Sequence, residues 1–297
     1  MTLSRRLLEL ESEAIHIIRD GVAEAENPVV LFSAGKDSTV LAHLVVRAFW
    51  PAPPPVPLLH IDSTWEFGEL LAFRDRFASE HGFELIVHHN RDGLAKGLNP
   101  FDHGDVYTTM MRTEALKQAL DDGRYDVIFG GARRDEEASR AKERIVSVRS
   151  EGHGWEPRNQ RPELWSIFNW KLRPGETIRA FPISNWTEED LWTYITARNI
   201  ELAPLYYAAD RAVVERDGAL IVVDDDARMR WYGGEKPRSE TVRFRSLGCW
   251  PVTGAIASKA KTNAEIAYET LRASVSERRG RVSDSGSLEA QKRNGYF

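Results

Sequence analysis

One cysteine, Cys249, stands in 297 residues, so no intrachain disulfide can form and a reducing compartment is expected. Apolar runs are short, and none reaches the roughly 20 residues that a membrane-spanning helix needs. The opening Met1-Thr2-Leu3-Ser4-Arg5-Arg6 has no signal-peptide core. Excess positive charge is missing too: 40 Lys and Arg against 45 Asp and Glu leave a net charge of −5. That balance argues against a nucleic-acid or other polyanion binder, so any anion site has to be built locally. Internal repeats are absent. A soluble, cytoplasmic chain is expected, long enough for one large α/β domain with an appendage or for two small domains.

What the chain does have is the stretch Ser33-Ala34-Gly35-Lys36-Asp37-Ser38-Thr39. It follows an apolar strand, Val29-Val30-Leu31-Phe32, and leads into the apolar helix that begins Val40-Leu41-Ala42. Small side chains let a ligand approach the backbone, and successive N–H groups in such a turn converge on phosphate oxygens. The helix N-terminus adds about half a positive charge and Lys36 a whole one. Two familiar phosphate loops are excluded. A Walker A loop needs glycine where Val30 stands and Ser or Thr where Asp37 stands. A dinucleotide fingerprint needs two further glycines that do not follow. The loop instead resembles the PP-loop of the ATP pyrophosphatases, Ser-x-Gly-x-Asp-Ser, which holds the pyrophosphate half of ATP. Its Lys-Asp version is typical of the branch that handles sulfate nucleotides.

Along the chain, residues 3–26 read as an amphipathic helix ended by Asn27-Pro28. Strands at Leu58–Asp62, Glu84–His89 and Asp126–Gly131 alternate with helices at about Phe67–His81 and Tyr107–Leu120. The pattern predicts a mostly parallel sheet with helices on both faces. Ligands of such sheets bind beyond the carboxyl ends of the strands, which puts the phosphate loop, Asp62 and Gly130-Gly131 on one rim. After loops from about residue 145, the pattern resumes at Ile178–Pro182, and Thr187-Glu188-Glu189-Asp190 opens a capped helix. The division expected is a nucleotide-binding domain over 1–210 and a C-terminal extension over 211–297. The extension holds a hairpin at Val213–Val223 with an Asp-Gly turn, a short strand near Val242–Arg245, and a polar tail from Ser274. Hairpin and tail are the expected docking region for a partner.

Gly130 through Arg144 carries most of the remaining charge. It can be read as a solvated helix with i,i+4 pairs, but Arg133 and Arg134 directly follow a Gly-Gly pair at a strand end. Guanidinium forks match phosphate and sulfate bidentately, so Arg133 and Arg134, with Arg140 or Arg144, are expected to hold an anion. Asp62 reads two ways, as a nucleotide or metal contact and as a helix N-cap. His88-His89 lacks the spaced ligands of a zinc site. Cys249 reads as a small buried hydrophobe in an apolar setting rather than a nucleophile. The nine tryptophans, without a basic stripe, read as core and interface.

Taken together, several segments resemble the small subunit of bacterial two-subunit sulfate adenylyltransferase, in the phosphoadenylylsulfate reductase-like family. They are Ser33–Ser38, Leu59–Asp62, Asn99-Pro100-Phe101, Gly130–Arg144, Asn159–Trp165, Ser184–Thr187, Arg243–Pro251 and the ending Lys292–Phe297. One departure is Ala34, where the wider PP-loop superfamily usually has glycine; a negative φ there would let the backbone approach the ligand. The resemblance implies the adenine nucleotide alpha hydrolase-like PP-loop fold with an irregular C-terminal extension. It also implies the reaction of ATP with sulfate to give adenosine 5′-phosphosulfate and pyrophosphate, driven by a GTPase large subunit. Ser33, Ala34, Gly35, Lys36, Asp37, Ser38, Thr39, Asp62, Gly130 and Gly131 would then bind ATP. Arg133, Arg134, Arg140 and Arg144 would bind sulfate or phosphate, with Lys36, Arg133 and Arg134 catalytic. Mg²⁺ would be carried mainly on the phosphates. The alternatives are a reductase of the same fold and a non-catalytic nucleotide-binding subunit.

Overall fold

The computed structural model describes residues 3–136 and 138–272. Helix α1, Arg5–Glu24, starts where Ser4 Oγ accepts the Leu7 N–H at 3.3 Å. It turns Leu7, Leu10, Ala14, Ile17 and Ile18 into the core. Strand β1, Pro28–Leu31, follows directly, its proline confined to the first position where no ladder donor is lost. Helix α2, Lys36–Phe49, β2, Leu58–Ile61, α3, Gly68–Glu80, and β3, Leu85–His88, complete the first half of the sheet. Three helices come next: α4 (Arg91–Ala95), α5 (Pro100–Thr108) and α6 (Ala115–Gly123). The helix expected over 107–120 is therefore longer and interrupted. Asn99 Oδ1 caps α5 through the Phe101 and Asp102 N–H groups, and a π-helical stretch, Thr109–Glu114, joins α5 to α6.

Strand β4, Val127–Phe129, is followed by the short helix α7, Ala138–Ala141, in the charged stretch that could also be read as a longer solvated helix. Strands β5, Val146–Arg149, and β6, Thr177–Ala180, end the sheet, whose order is β3-β2-β1-β4-β6-β5. All its pairings are parallel except β5 with β6. Alternate strand residues serve two cores. Val30, Leu58, Val127 and Phe129 meet Ile17, Leu41 and Leu44, while Val29, Leu59 and Ile128 meet Leu116 and Leu120. The chain passes from β1 outward to β2 and β3, then places β4 on the other side of β1. The crevice between the carboxyl ends of β1 and β4 is thus the topological switch point, where α/β sheets take ligands.

Helix α8, Glu188–Arg198, has the capping box expected, with Thr187 and Asp190 bonded reciprocally. Beyond it the hairpin is present as β7 (Ala209–Arg216) and β8 (Ala219–Val222). It does not stand alone, because β9 (Arg238–Arg243) and β10 (Gly254–Ala257) close it into a small barrel of order β10-β8-β7-β9. Helix α9, Asn263–Arg272, packs back on α8. The tail from Ser274 and the ending Lys292–Phe297 lie outside the described residues. Among the described residues no helix is long and apolar enough to cross a membrane.

Candidate active site

A cavity of about 280 Å³ opens at the switch point. Its apolar side is made of Leu31, Leu59, Ile61 and Leu116, and its polar side of Ser33, Gly35, Lys36, Asp37, Ser38, Arg112, Glu136 and Arg140. Gly131 belongs to the wall for a steric reason. A Cβ built on it would lie 2.9 Å from the Asp37 carbonyl carbon and 3.0 Å from the Ser38 nitrogen, so the β4 rim and the phosphate loop touch backbone to backbone.

The loop itself is held by short-range bonds. Ser33 Oγ lies 3.1 Å from Ser38 Oγ, whose hydroxyl also donates to the Gly35 carbonyl at 3.1 Å. Ala34 has φ of 56°, the left-handed region, so the condition of a negative φ there is not met. The reversal into α2 requires that conformation, and the chain accepts the strain of a Cβ there. Lys36 is 1% exposed, and its backbone N–H donates to Tyr206 Oη at 2.8 Å. Its Nζ donates to Asp37 Oδ2 at 2.9 Å, while Arg133 Nε donates to Asp37 Oδ1 at 2.6 Å. Burial pushes the Asp37 carboxyl up, but the charges of Lys36 and Arg133 outweigh it and hold the group well below the usual carboxylate range. Asp37 is therefore an anchor joining two cations, with both oxygens engaged.

Of the arginines expected to hold an anion, Arg140 lines the cavity and is buried. Arg133 is buried behind Asp37. Arg134 turns away to Asn185 Oδ1, at 2.5 Å, and Arg144 is exposed; neither lines the cavity. Thr39, Asp62 and Gly130 do not line it either. The N-cap reading of Asp62 is corrected, since the residue capping α3 is Phe67, while Asp62 Oδ1 accepts the Thr64 N–H at 2.7 Å in a local turn. Burial raises the Asp62 carboxyl and the Thr64 N–H, with other neighbours, brings it below its ordinary value. His60, on the cavity wall, is pushed down to about 4 by burial and donates from Nδ1 to the Phe32 carbonyl at 2.8 Å, so it is neutral at pH 7.

Several wall residues were not among the expected site residues, although Ser246-Leu247-Gly248 lie in the Arg243–Pro251 segment that carried part of the resemblance. Arg112 sits inside an apparent helix, Tyr206 in a loop, and Ser246-Leu247-Gly248 arrive from beyond β9. Cys249 is buried, but the apolar setting expected for it is corrected. Its Sγ lies 3.0 Å from Arg112 Nη2, 3.2 Å from Tyr107 Oη and 3.4 Å from Ser63 Oγ. No group of three His, Cys, Asp or Glu side chains that could hold a metal occurs among the described residues. The arrangement sets apolar side chains beside a cationic loop in one cavity.

Residues 27–255 match the model of the phosphoadenosine phosphosulfate reductase domain. A sulfate adenylyltransferase subunit 2 from Methylorubrum populi is 60% identical over 98% of this chain and 95% of its own. The protein of the same name from Citrifermentans bemidjiense is 58% identical over 98% of both chains. Among solved structures, an FMN adenylyltransferase of Candida glabrata bound to FAD and inorganic pyrophosphate shares the fold. It has a TM-score of 0.50 at 14% identity, covering 100% of this chain and 88% of that one.

Proposed function

The chain belongs to the sulfate adenylyltransferase subunit 2 family, within the phosphoadenosine phosphosulfate reductase domain family, and from that premise we propose how its cavity carries out adenylyl transfer. ATP lies with its base against Leu31, Leu59 and Ile61 and its β- and γ-phosphates on the loop from Ser33 to Ser38. A sulfate oxygen attacks the α-phosphorus. The bond from that phosphorus to the bridging oxygen breaks, and its electron pair leaves on pyrophosphate. Sulfate is fully ionised at neutral pH, so no proton moves and no general base is needed.

The barrier is electrostatic. Two unit charges at about 4 Å repel by roughly 4 kcal/mol at an effective dielectric of 20, and a dianion must approach a polyanion. Lys36 and the loop N–H groups stabilise the leaving pyrophosphate, Arg140 faces the transferring group, and Arg133 keeps Asp37 and thereby Lys36 in register. A divalent ion, Mg²⁺ in the cell, supplies further charge neutralisation on the phosphates. It would be carried mainly on the phosphates. Arg134, bonded to Asn185, and Arg144, which does not line the cavity, are left out of the ligand set.

The observation that carries this reading is the buried Lys36–Asp37–Arg133 bridge at the switch point. It joins the phosphate loop to the β4 rim in a chain about 58–60% identical to named adenylyltransferase subunits. The partner is a GTPase large subunit whose hydrolysis drives the uphill product. A reductase would need an accessible nucleophilic thiol, and the sequence's one cysteine is buried in a hydrogen-bonded network. The test is formation of labelled adenylylsulfate from ATP, radiolabelled sulfate and Mg²⁺ with the GTPase subunit, with and without GTP. Label rising with GTP supports the reading; none under either condition refutes it.

A further inference from the structure

We propose that the turn Leu164-Trp165-Ser166-Ile167 is the surface on which the GTPase large subunit docks, seating its apolar side chains in a recess rimmed by carboxylates on that partner; the proposal rests on the two-subunit reading above. Trp165 is 88% exposed, Leu164 62% and Ile167 68%, so three large apolar side chains stand in water within four residues. Exposed apolar residues scattered singly are ordinary, whereas a contiguous group marks a contact site. The segment Asn159–Trp165 carries part of the resemblance, yet it lines no part of the cavity. Trp165 and Ser166 also hold φ of 53° and 58°, the left-handed region that bulky side chains avoid. Such backbone persists only where its surroundings fix it.

The turn is pinned on both sides. Before it, Glu163 Oε1 accepts the Val146 N–H at 2.8 Å and Gln160 Oε1 accepts the Val148 N–H at 2.9 Å, while Gln160 Nε2 donates to the Val148 carbonyl at 3.0 Å. These side chains pair the outer edge of β5, the last strand of the sheet. After it, Trp170 is buried and its Nε1 donates to Asp20 Oδ2 of α1 at 2.6 Å. Arg161 ties the two arms together, donating to the Asn169 carbonyl at 3.0 Å and to Glu176 Oε2 at 3.2 Å. Between these anchors the Ile167 N–H donates to the Leu164 carbonyl at 3.1 Å. The apolar side chains are thus presented on a preformed turn, which lowers the ordering cost of binding. Glu163 Oε2 lies 3.8 Å from Nη2 of Arg134, whose chain neighbours Gly131, Ala132 and Glu136 line the cavity, so a partner seated here adjoins the reaction site.

Charge selects the occupant. The chain carries a net charge of −5, yet Arg158 on one arm and Lys171 and Arg173 on the other are exposed, against Glu156 as the one exposed carboxylate of residues 156–173. A second copy set on this turn by a twofold axis would bring these cations against themselves. A different partner, apolar at the centre of its contact and acidic at its rim, is complementary, and the subunit that must act on the adjoining cavity is the GTPase. The hairpin expected to dock a partner has its strands closed into the barrel.

Calorimetric titration of the full chain with the GTPase subunit tests this, with the mass of the chain alone followed by light scattering. Trp165→Gly removes the ring at a position whose left-handed φ suits glycine. Its melting temperature should match that of the wild type, while Kd for the GTPase subunit rises about 10-fold or more. Lys171→Glu combined with Arg173→Glu should raise Kd several-fold at low salt and less at high salt. A wild-type Kd in Trp165→Gly overturns the docking site; should that variant fail to fold, the rim variant decides by the same criterion. A wild-type chain that self-associates, and loses this in Trp165→Gly, assigns the turn to a second copy and overturns the proposal as well. If the wild type binds no GTPase subunit at all, the two-subunit reading itself fails and the docking site falls with it.

Discussion

Arg133 Nε and Asp37 Oδ1 lie 2.6 Å apart, although 96 residues separate them in the chain. The pair ties the rim of β4 to the phosphate loop after β1, and Arg133 is only 1% exposed. Removing one partner strands a buried charge, which typically costs about 3–5 kcal/mol. Arg133→Met should therefore lower stability in urea by roughly 3 kcal/mol. Paired with Asp37→Asn, it should show strong non-additivity in a double-mutant cycle; additive losses would mean that the two side chains do not act together.

Lys36 sits on the other oxygen of the same carboxylate. Lys36→Ala should reduce turnover in the presence of the GTPase subunit by about 10²–10³, the usual scale for one transition-state donor. Near-normal kinetics would remove Lys36 from the machinery.

Gly131 touches the backbone of Asp37 and Ser38 with no room for a methyl group. Gly131→Ala must push the loop away from β4, and a displacement near 1 Å at a positioned group can cost about 10²-fold. The expected result is at least a 10-fold loss of kcat, with the circular dichroism spectrum unchanged. Wild-type kcat would show that the loop yields without consequence.

Ala34 holds a left-handed φ and is fully buried. Glycine would relieve about 1 kcal/mol of strain but lose a buried methyl, about 0.8 kcal/mol, and gain unfolded-state entropy. Ala34→Gly should thus lose less than about 1 kcal/mol of stability. Ala34→Val, β-branched at positive φ, should lose about 2 kcal/mol or more. Denaturant midpoints check both; a Val variant as stable as wild type would contradict the backbone described.

His43 and His60 are each pushed down to about 4, chiefly by burial. A buried neutral histidine binds fewer protons than the unfolded chain between its two pKa values, so stability rises with pH there. The protein should be fully stabilised by these groups above about pH 6.5 and lose that contribution progressively down to about pH 4. His43→Leu, away from the cavity, should flatten this limb of a stability–pH curve. Asp37, whose carboxyl is depressed, gives up its contribution only in stronger acid. An unchanged slope in His43→Leu would mean that His43 is not buried neutral.

The sequence order of strands and helices, the phosphate loop and the Asp-Gly hairpin were all readable because each is written in neighbouring residues. An apolar run, a cap or a turn dipeptide acts over a few positions, so periodicity and residue type suffice. The same locality explains the failures. Arg133, Arg134, Arg140 and Arg144 look equivalent in a charged run, yet one anchors Asp37, one lines the cavity, one bonds Asn185 and one is exposed outside the cavity lining. A π-helical stretch has no local signature that separates it from an α-helix, so Arg112 passed as an ordinary helical residue.

By itself, then, the sequence determined the alternating architecture and the small-residue turn between β1 and α2, since these follow from short-range hydrogen bonding and hydrophobic pattern, while the family was legible through the resemblance of its motifs. Tertiary structure alone decided the left-handed Ala34, the sharing of Asp37 between two cations, and the delivery of Arg112, Tyr206 and Ser246–Gly248 to one wall. Those outcomes depend on which strand ends the sheet order sets side by side. Charges and donors brought within 3 Å by folding settle their partners by desolvation and geometry, which distance along the chain does not encode.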